Sequence, residues 1–251
     1  MPRQSGEPPK YQEIADKLRG QIGDGTYPPG SLLPPERKIA EAEGVAVGTA
    51  RRALAVLRDE GYTEARVGAG VYVRTWRPIV RNALKRLRTS QWGEGRSIWD
   101  VDIDDRDLEA VDVQIEHIPA PADVAHLLDI DESQLVYRRN RKYVVDGVSV
   151  MRSTSYIPED LARGTRITQI DSGPGGTYAR LREAGHGPVK FREELRCRMP
   201  STVETEDLGL AAATPVVEMC RSAMRADGRV VEVNRMILDA SRYLLVYDFP
   251  A

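Results

Sequence analysis

The 251-residue sequence has no apolar run of about 18 residues, the least that carries a helix across a membrane, so it reads as a soluble chain with no membrane partner. Its opening, MPRQSGEPPK, has neither the apolar centre of a signal peptide nor an amphipathic transit pattern, and the expected location is the cytoplasm. Cysteine is scarce. Cys197 and Cys220 stand alone without a C-x-x-C partner, which excludes a disulfide scaffold or a zinc finger and leaves two reduced, buried thiols as the expectation. His117, His126 and His186 lack metal-ligand spacing, and there is no G-x-S-x-G elbow, P-loop or Rossmann glycine pattern. No metal, cofactor or catalytic residue is expected, and the chain is not read as an enzyme. An excess of one charge is missing too. Lys plus Arg number 36 against 38 acids, and 41% hydrophobic residues suffice for one large or two modest globular domains, so a folded chain rather than disorder is the first expectation.

The near-neutral total conceals an uneven distribution. Residues 76–97 carry 6 Lys and Arg against 1 acid, whereas residues 98–251 carry 27 acids against 19 cations. The basic stretch, with Arg77, Arg81, Lys85, Arg86 and Arg88, reads either as a place for a polyanion or as a solvated linker face.

Ahead of it, Tyr11, Ile14, Ala15, Leu18 and Ile22 recur at the spacing of one helix face, and the Gly- and Pro-rich run 24–30 stops that helix. Pro34 or Pro35 then opens a short helix closed by Gly44, because proline is tolerated in a first turn and glycine just past a last one. Ala50, Ala53, Leu54 and Leu57 form the apolar stripe of a third helix, whose other face carries Gly48, Arg51, Arg52, Ala55 and Arg58. Two short helices joined by a tight turn, the second exposed and cationic, suit a DNA major groove. Tyr62 to Val73 reads as a two-stranded wing turning at Val67-Gly68-Ala69-Gly70, with Arg66 at its tip.

The run YQEIADKLRG to GAGVYV, over residues 10–74, resembles the winged helix-turn-helix of GntR-family bacterial transcription regulators. PPGSLLPPER, ARRAL, EGY and GAGVYV carry the likeness. It implies that Arg37 of the LPxER motif and Arg51 of the recognition helix contact DNA, together with backbone near Gly68. Thr49 is retained for a phosphate contact, while Ala46-Val47 replaces the family's Ser-Arg or Thr-Arg pair, a loss for which Arg52 is the substitute at hand. Arg51 is read as the base reader, since an arginine can make two hydrogen bonds to guanine. Arg37 has a plainer alternative, an i, i+4 pair with Glu41.

From Ile98 the pattern runs strand (111–117), helix (121–128) and a hairpin (135–145 and 148–156) turning at Asp146-Gly147. A helix over 178–184 follows, and then the pattern repeats: strand (189–199), helix (202–208) and a hairpin (216–225 and 230–238) turning at Asp227-Gly228. This loose duplication predicts an antiparallel sheet with helices on one face. YRRNRKYVVDGVSVMRSTSYIPEDL and the LAAATPVVEMCRSAMRADGRVVEVNRMILDASRY stretch resemble the UTRA domain of the HutC subfamily, whose fold is that of chorismate lyase. The expected fold is therefore α+β, with a winged helix-turn-helix over 1–75, a basic linker over 76–97 and a chorismate-lyase-like antiparallel-sheet domain over 98–251 for effector binding and dimerization.

The resemblance implies an effector held between the hairpins by Arg139, Arg141 and Ser155, with Glu232 and Tyr243 across the cleft and Ser153 where sugar-binding relatives carry a glutamate. Alternate strand positions put Arg139 and Arg141 on one face, where two guanidiniums can converge on a phosphate or carboxylate. The glycine-rich run 171–177 either presents backbone N–H groups to an anion or is only a loop. Together these imply a homodimeric repressor that binds a near-palindromic double-stranded operator and is released by a small anionic effector such as a sugar phosphate or organic acid. The rival readings are a ligand-insensitive DNA-binding dimer and an enzyme of chorismate-lyase-like fold.

Overall fold

A computed structural model describes residues 8–66, 68–75, 78–92, 98, 102–103 and 106–249. The chain divides into two compact units, residues 1–77 with 211–214 and residues 78–210 with 215–251. No described helix is long and apolar enough to cross a membrane, and no cluster of metal-ligating side chains occurs among the described residues.

The first unit contains α1 (Lys10–Gly23), α2 (Glu36–Glu43), α3 (Val47–Asp59) and the strands β1 (Thr63–Arg66) and β2 (Gly70–Val73). The periodic residues read from the sequence form its core: Ile14, Leu18, Ile39, Ala50, Leu54 and Leu57 are buried together. Pro35 precedes α2, and Gly44 ends it in the left-handed conformation at φ 63°. Only Val45 and Ala46 then separate it from α3. The β1–β2 wing gains a third edge from Leu32, which bridges Tyr72. Glycine suits position 70 in that arrangement: its φ is 112°, and a Cβ there would come within 2.8 Å of Leu32 Cδ1, which would have to shift.

The second unit opens with β3 (Ile79–Asn82), α4 (Ala83–Arg86) and α5 (Thr89–Trp92). Next come β4 (Leu108–Pro119), α6 (Ala122–Leu128), β5 (Leu135–Val145), β6 (Val148–Pro158) and α7 (Glu159–Ala162). A 3-10 turn over Arg166–Thr168 leads to α8 (Gly176–Glu183), β7 (Lys190–Arg198), α9 (Thr202–Leu208), β8 (Val216–Met224), β9 (Val230–Asp239) and β10 (Tyr243–Val246). Six strands make an antiparallel sheet in the order β4-β5-β6-β9-β8-β7. Each half contributes three strands, and the two hairpins meet where β6 pairs β9 at the centre.

Three expectations are corrected. Helices cover both faces of the sheet: α6 and α9 pack on one side, against Val233 and Ile237, while α8 and the 3-10 turn cover the other through Tyr178 and Ile167. The central strands β6 and β9 are accordingly buried over most of their length, on both faces. The basic stretch is not a solvated linker either, since β3 pairs in parallel with β10 and belongs to the second unit. That pairing carries Arg81 and Arg86 into full burial, where Arg81 grips Glu193 with both terminal nitrogens and Arg86 meets Asp102 at 2.9 Å. Lys85 and Arg88 stay exposed, and Arg77 lies outside the described residues. Nor are the cysteines both buried: Cys197 is exposed on the edge strand β7 and Cys220 is half-buried.

Candidate functional site

On the first unit, α3 presents a cationic face opposite its buried stripe. Arg37, Arg51, Arg52, Arg66 and Gly68 are exposed and Thr49 is half-buried. Three of these arginines rest against local partners. Arg51 donates from Nε to both carboxylate oxygens of Glu36 at 3.0 Å, Arg52 stacks 4.0 Å from the Tyr11 ring centre, and Arg66 donates to Glu64 while covering Tyr72. Arg37 has no such partner among the described residues, and the pair with Glu41 is not formed. Exposed ion pairs of this kind contribute only about 0–1 kcal/mol. Arg66 is the last residue of β1, paired with Gly70, and thus stands beside the wing's turn.

The second unit holds a cavity of about 370 Å³ between the sheet and the glycine-rich run ahead of α8. Arg139, Arg141, Tyr143, Arg221, Glu232 and Asn234 rise from the sheet, and residues 170–178 close the opposite wall. Arg139 and Arg141 share this face, as their alternation on β5 requires, but they do different things. The buried Arg139 guanidinium donates to the carbonyls of Ile167, Gln169 and Ile170, the last at 3.1 Å, and so fastens the loop rather than reaching into free space. Burial, with the adjacent Arg141 charge, pushes its pKa down to about 10, which still leaves it charged at neutral pH. Arg141 donates from Nη2 to Ser155 Oγ at 2.7 Å, and among the described residues its Nε has no hydrogen-bond partner.

Ser153 and Ser155 are buried behind the cavity wall rather than lining it. Ser153 donates to Asn234 Oδ1 at 2.9 Å, so both serines orient residues that do line it. Tyr243 is placed elsewhere: it belongs to β10, is paired with Ile79 and does not touch the cavity. The β3–β10 pairing draws it into the core, away from the hairpins. Glu232 does line the cavity, 2% exposed, with Oε2 lacking a hydrogen-bond partner. Part of the glycine-rich run is committed internally, because Gly173 N–H donates to Asp171 Oδ1 at 2.7 Å.

Arg221, Asn234, Tyr143 and Tyr178 were not among the expected site residues. Arg221 had a visible signal, since Val217, Met219, Arg221 and Ala223 alternate as the buried positions of β8 and a cation in such a series faces the core side.

Residues 10–73 match the gntR family of bacterial regulatory proteins, and residues 106–244 match the UTRA domain. The chain belongs to the GntR family. It is 32% identical over 252 residues to the HTH-type transcriptional regulator SCO4628 of Streptomyces coelicolor, covering 96% of this chain and 93% of that protein. The HTH-type transcriptional repressor NagR of Bacillus subtilis is 24% identical, over 95% of this chain and 94% of its own. The crystal structure of PhnF from Mycobacterium smegmatis superposes with a TM-score of 0.59 at 25% identity, covering 95% of this chain and 99% of that one. As a GntR regulator the chain carries its DNA-binding winged helix-turn-helix in the first unit and its UTRA domain in the second, and the fold expected from the sequence is the fold found.

Proposed function

We propose that this regulator is a repressor that binds a near-palindromic operator as a homodimer and leaves it when a small anionic effector fills the UTRA cavity. The observation that carries the reading is the cavity itself, in which Arg141 keeps donors unpaired beside a loop fastened by Arg139. An anion there would gain charge-assisted hydrogen bonds in a partly desolvated setting, where they are stronger than at the surface. The relative named as a repressor, NagR, covers almost the whole chain, which supports repression over activation.

On DNA, Arg51 would leave Glu36 to read a base edge, with Arg37, Thr49 and Arg52 on phosphates and Arg66 and the Gly68 backbone at the flanking groove. Two recognition helices in a dimer would match half-sites about one helical turn apart. Effector binding would act by population shift: it favours the dimer whose spacing no longer fits the operator, by as much as its affinity differs between the two states.

Fluorescence anisotropy on DNA from upstream of the regulator's own gene tests this, against scrambled DNA, over a salt series, with and without sugar phosphates and organic acids. Specific, salt-sensitive binding relieved by one anionic compound is expected. Tight binding indifferent to every compound would favour a ligand-insensitive dimer, and no preference over scrambled DNA would remove the assignment of that operator.

A further inference from the structure

The two halves of the UTRA sheet are related by an approximate dyad between β6 and β9. Ser155 pairs Asn234 across that centre, Ser155 pairs Arg139 on one side, and Asn234 pairs Arg221 on the other. Arg139 and Arg221 thus hold equivalent positions in one row across the sheet, three strand spacings or about 14 Å apart at the backbone. Each is 1% exposed.

What surrounds the two guanidiniums differs. Arg139 is capped by three loop carbonyls. Arg221 has no such cap: among the described residues its Nε and Nη1 find no hydrogen-bond partner, and the closest carboxylate oxygen, Glu193 Oε1, lies 3.7 Å away while Glu193 is gripped by Arg81. The Tyr178 ring lies beneath it at 5.6 Å. Glu232 Oε2 on the sheet wall and Thr177 Oγ1 on the facing wall, both more than nine-tenths buried, are likewise without hydrogen-bond partners among the described residues. Glu193 offsets the charge of Arg221 but leaves its buried donors without hydrogen bonds, which is costly, so this end of the cavity suits an acceptor the protein itself does not supply.

We propose that Arg221 is a second anion anchor, and that the effector is a small molecule with an acidic group at each end, phosphate or carboxylate. One group would meet Arg141 and the glycine-rich run, the other Arg221. Glu232 accepts from hydroxyl or ammonium groups between them, and the Asn234 amide adds a further contact. This rests on the reading of the cavity as the effector site, and the experiment separates the two.

The full-length chain, labelled with 15N-arginine, is titrated with inorganic phosphate while the guanidinium Nε–H resonances are followed, with Arg141→Lys and Arg221→Lys to assign them. Both resonances are expected to shift saturably, and Arg221→Lys should leave the Arg141 response unchanged. A response at Arg141 alone would overturn the second anchor and leave the effector cavity standing, whereas a response at neither overturns both. Calorimetry then compares fructose 1,6-bisphosphate with fructose 6-phosphate, which lacks only the second phosphate. The bisphosphate should bind on the order of ten-fold or more tightly in the wild-type chain. That advantage should vanish in Arg221→Met with fructose 6-phosphate affinity retained, and should persist in part in Arg221→Lys. No difference between the two sugars in the wild type would overturn the two-acid ligand.

Discussion

Arg51 rests on Glu36 in the free protein, and that local pair is weak beside what a guanine offers. A bidentate arginine–guanine contact discriminates by about 1–3 kcal/mol, against about 0–1 kcal/mol for an exposed ion pair. Arg51→Ala should therefore flatten the preference for operator over scrambled DNA by about that discrimination, while Arg37→Ala should weaken both complexes alike and reduce the salt slope by about one unit. Equal operator preference before and after Arg51→Ala, read by anisotropy, would remove it as base reader. Glu204 is a titrating test of the fold. Arg198, with the Ser201 cap of α9, holds its carboxyl down to about 2. Its contribution is complete above the ordinary value of 4.5 and is lost as pH falls from there towards 2. Urea midpoints between pH 5 and 3 should fall in the wild type and fall less in Glu204→Gln. At this scale the sequence was legible wherever a residue's role follows from its own spacing: the α3 stripe, the Gly44 cap and the Asp-Gly turns all stand where periodicity and turn chemistry put them. What Arg139 holds was not legible, because its carbonyl partners lie 28 to 31 residues away along the chain.

Among the elements, β3 is least visible in the sequence, because it depends on a partner far along the chain. Ile79–Asn82 becomes a strand only because β10 lies beside it, and its arginine becomes a core residue only because Glu193 of β7 meets it. Although burial pushes Glu193 up, Arg81, Arg221 and Arg86 together hold it below its ordinary value. Removing one member of a buried pair leaves an uncompensated charge, so Glu193→Ala should cost about 3–5 kcal/mol in denaturant unfolding. Arg81→Met with Glu193→Leu should recover much of that loss, and a Glu193→Ala variant as stable as wild type would show the pair to be idle. In the wing, Gly70→Ala must accept both a positive φ and a close approach to Leu32. It is expected to destabilise the first unit by about 1–3 kcal/mol and to weaken DNA binding, with Gly68→Ala as the sterically open comparison.

For the whole molecule, the duplicated strand–helix–hairpin pattern was readable, and the sheet order with its two hairpins meeting at the centre is its consequence. The cavity was readable in part. The Arg-x-Arg alternation placed Arg139 and Arg141 on the right face, but the approximate dyad that sets Arg221 opposite Arg139 emerges only from strand register. Under the proposed function, effector control of DNA binding would hang on Arg141, the cation of that pair that is not bonded to the loop carbonyls. The most direct measurement is release of a labelled operator by the inducing anion, in wild type and in Arg141→Ala side by side. Release of the wild type, with the variant still bound at concentrations that free the wild type, is the expected result. A variant that binds the operator normally and lets go at the same concentration as wild type would contradict control through this cavity.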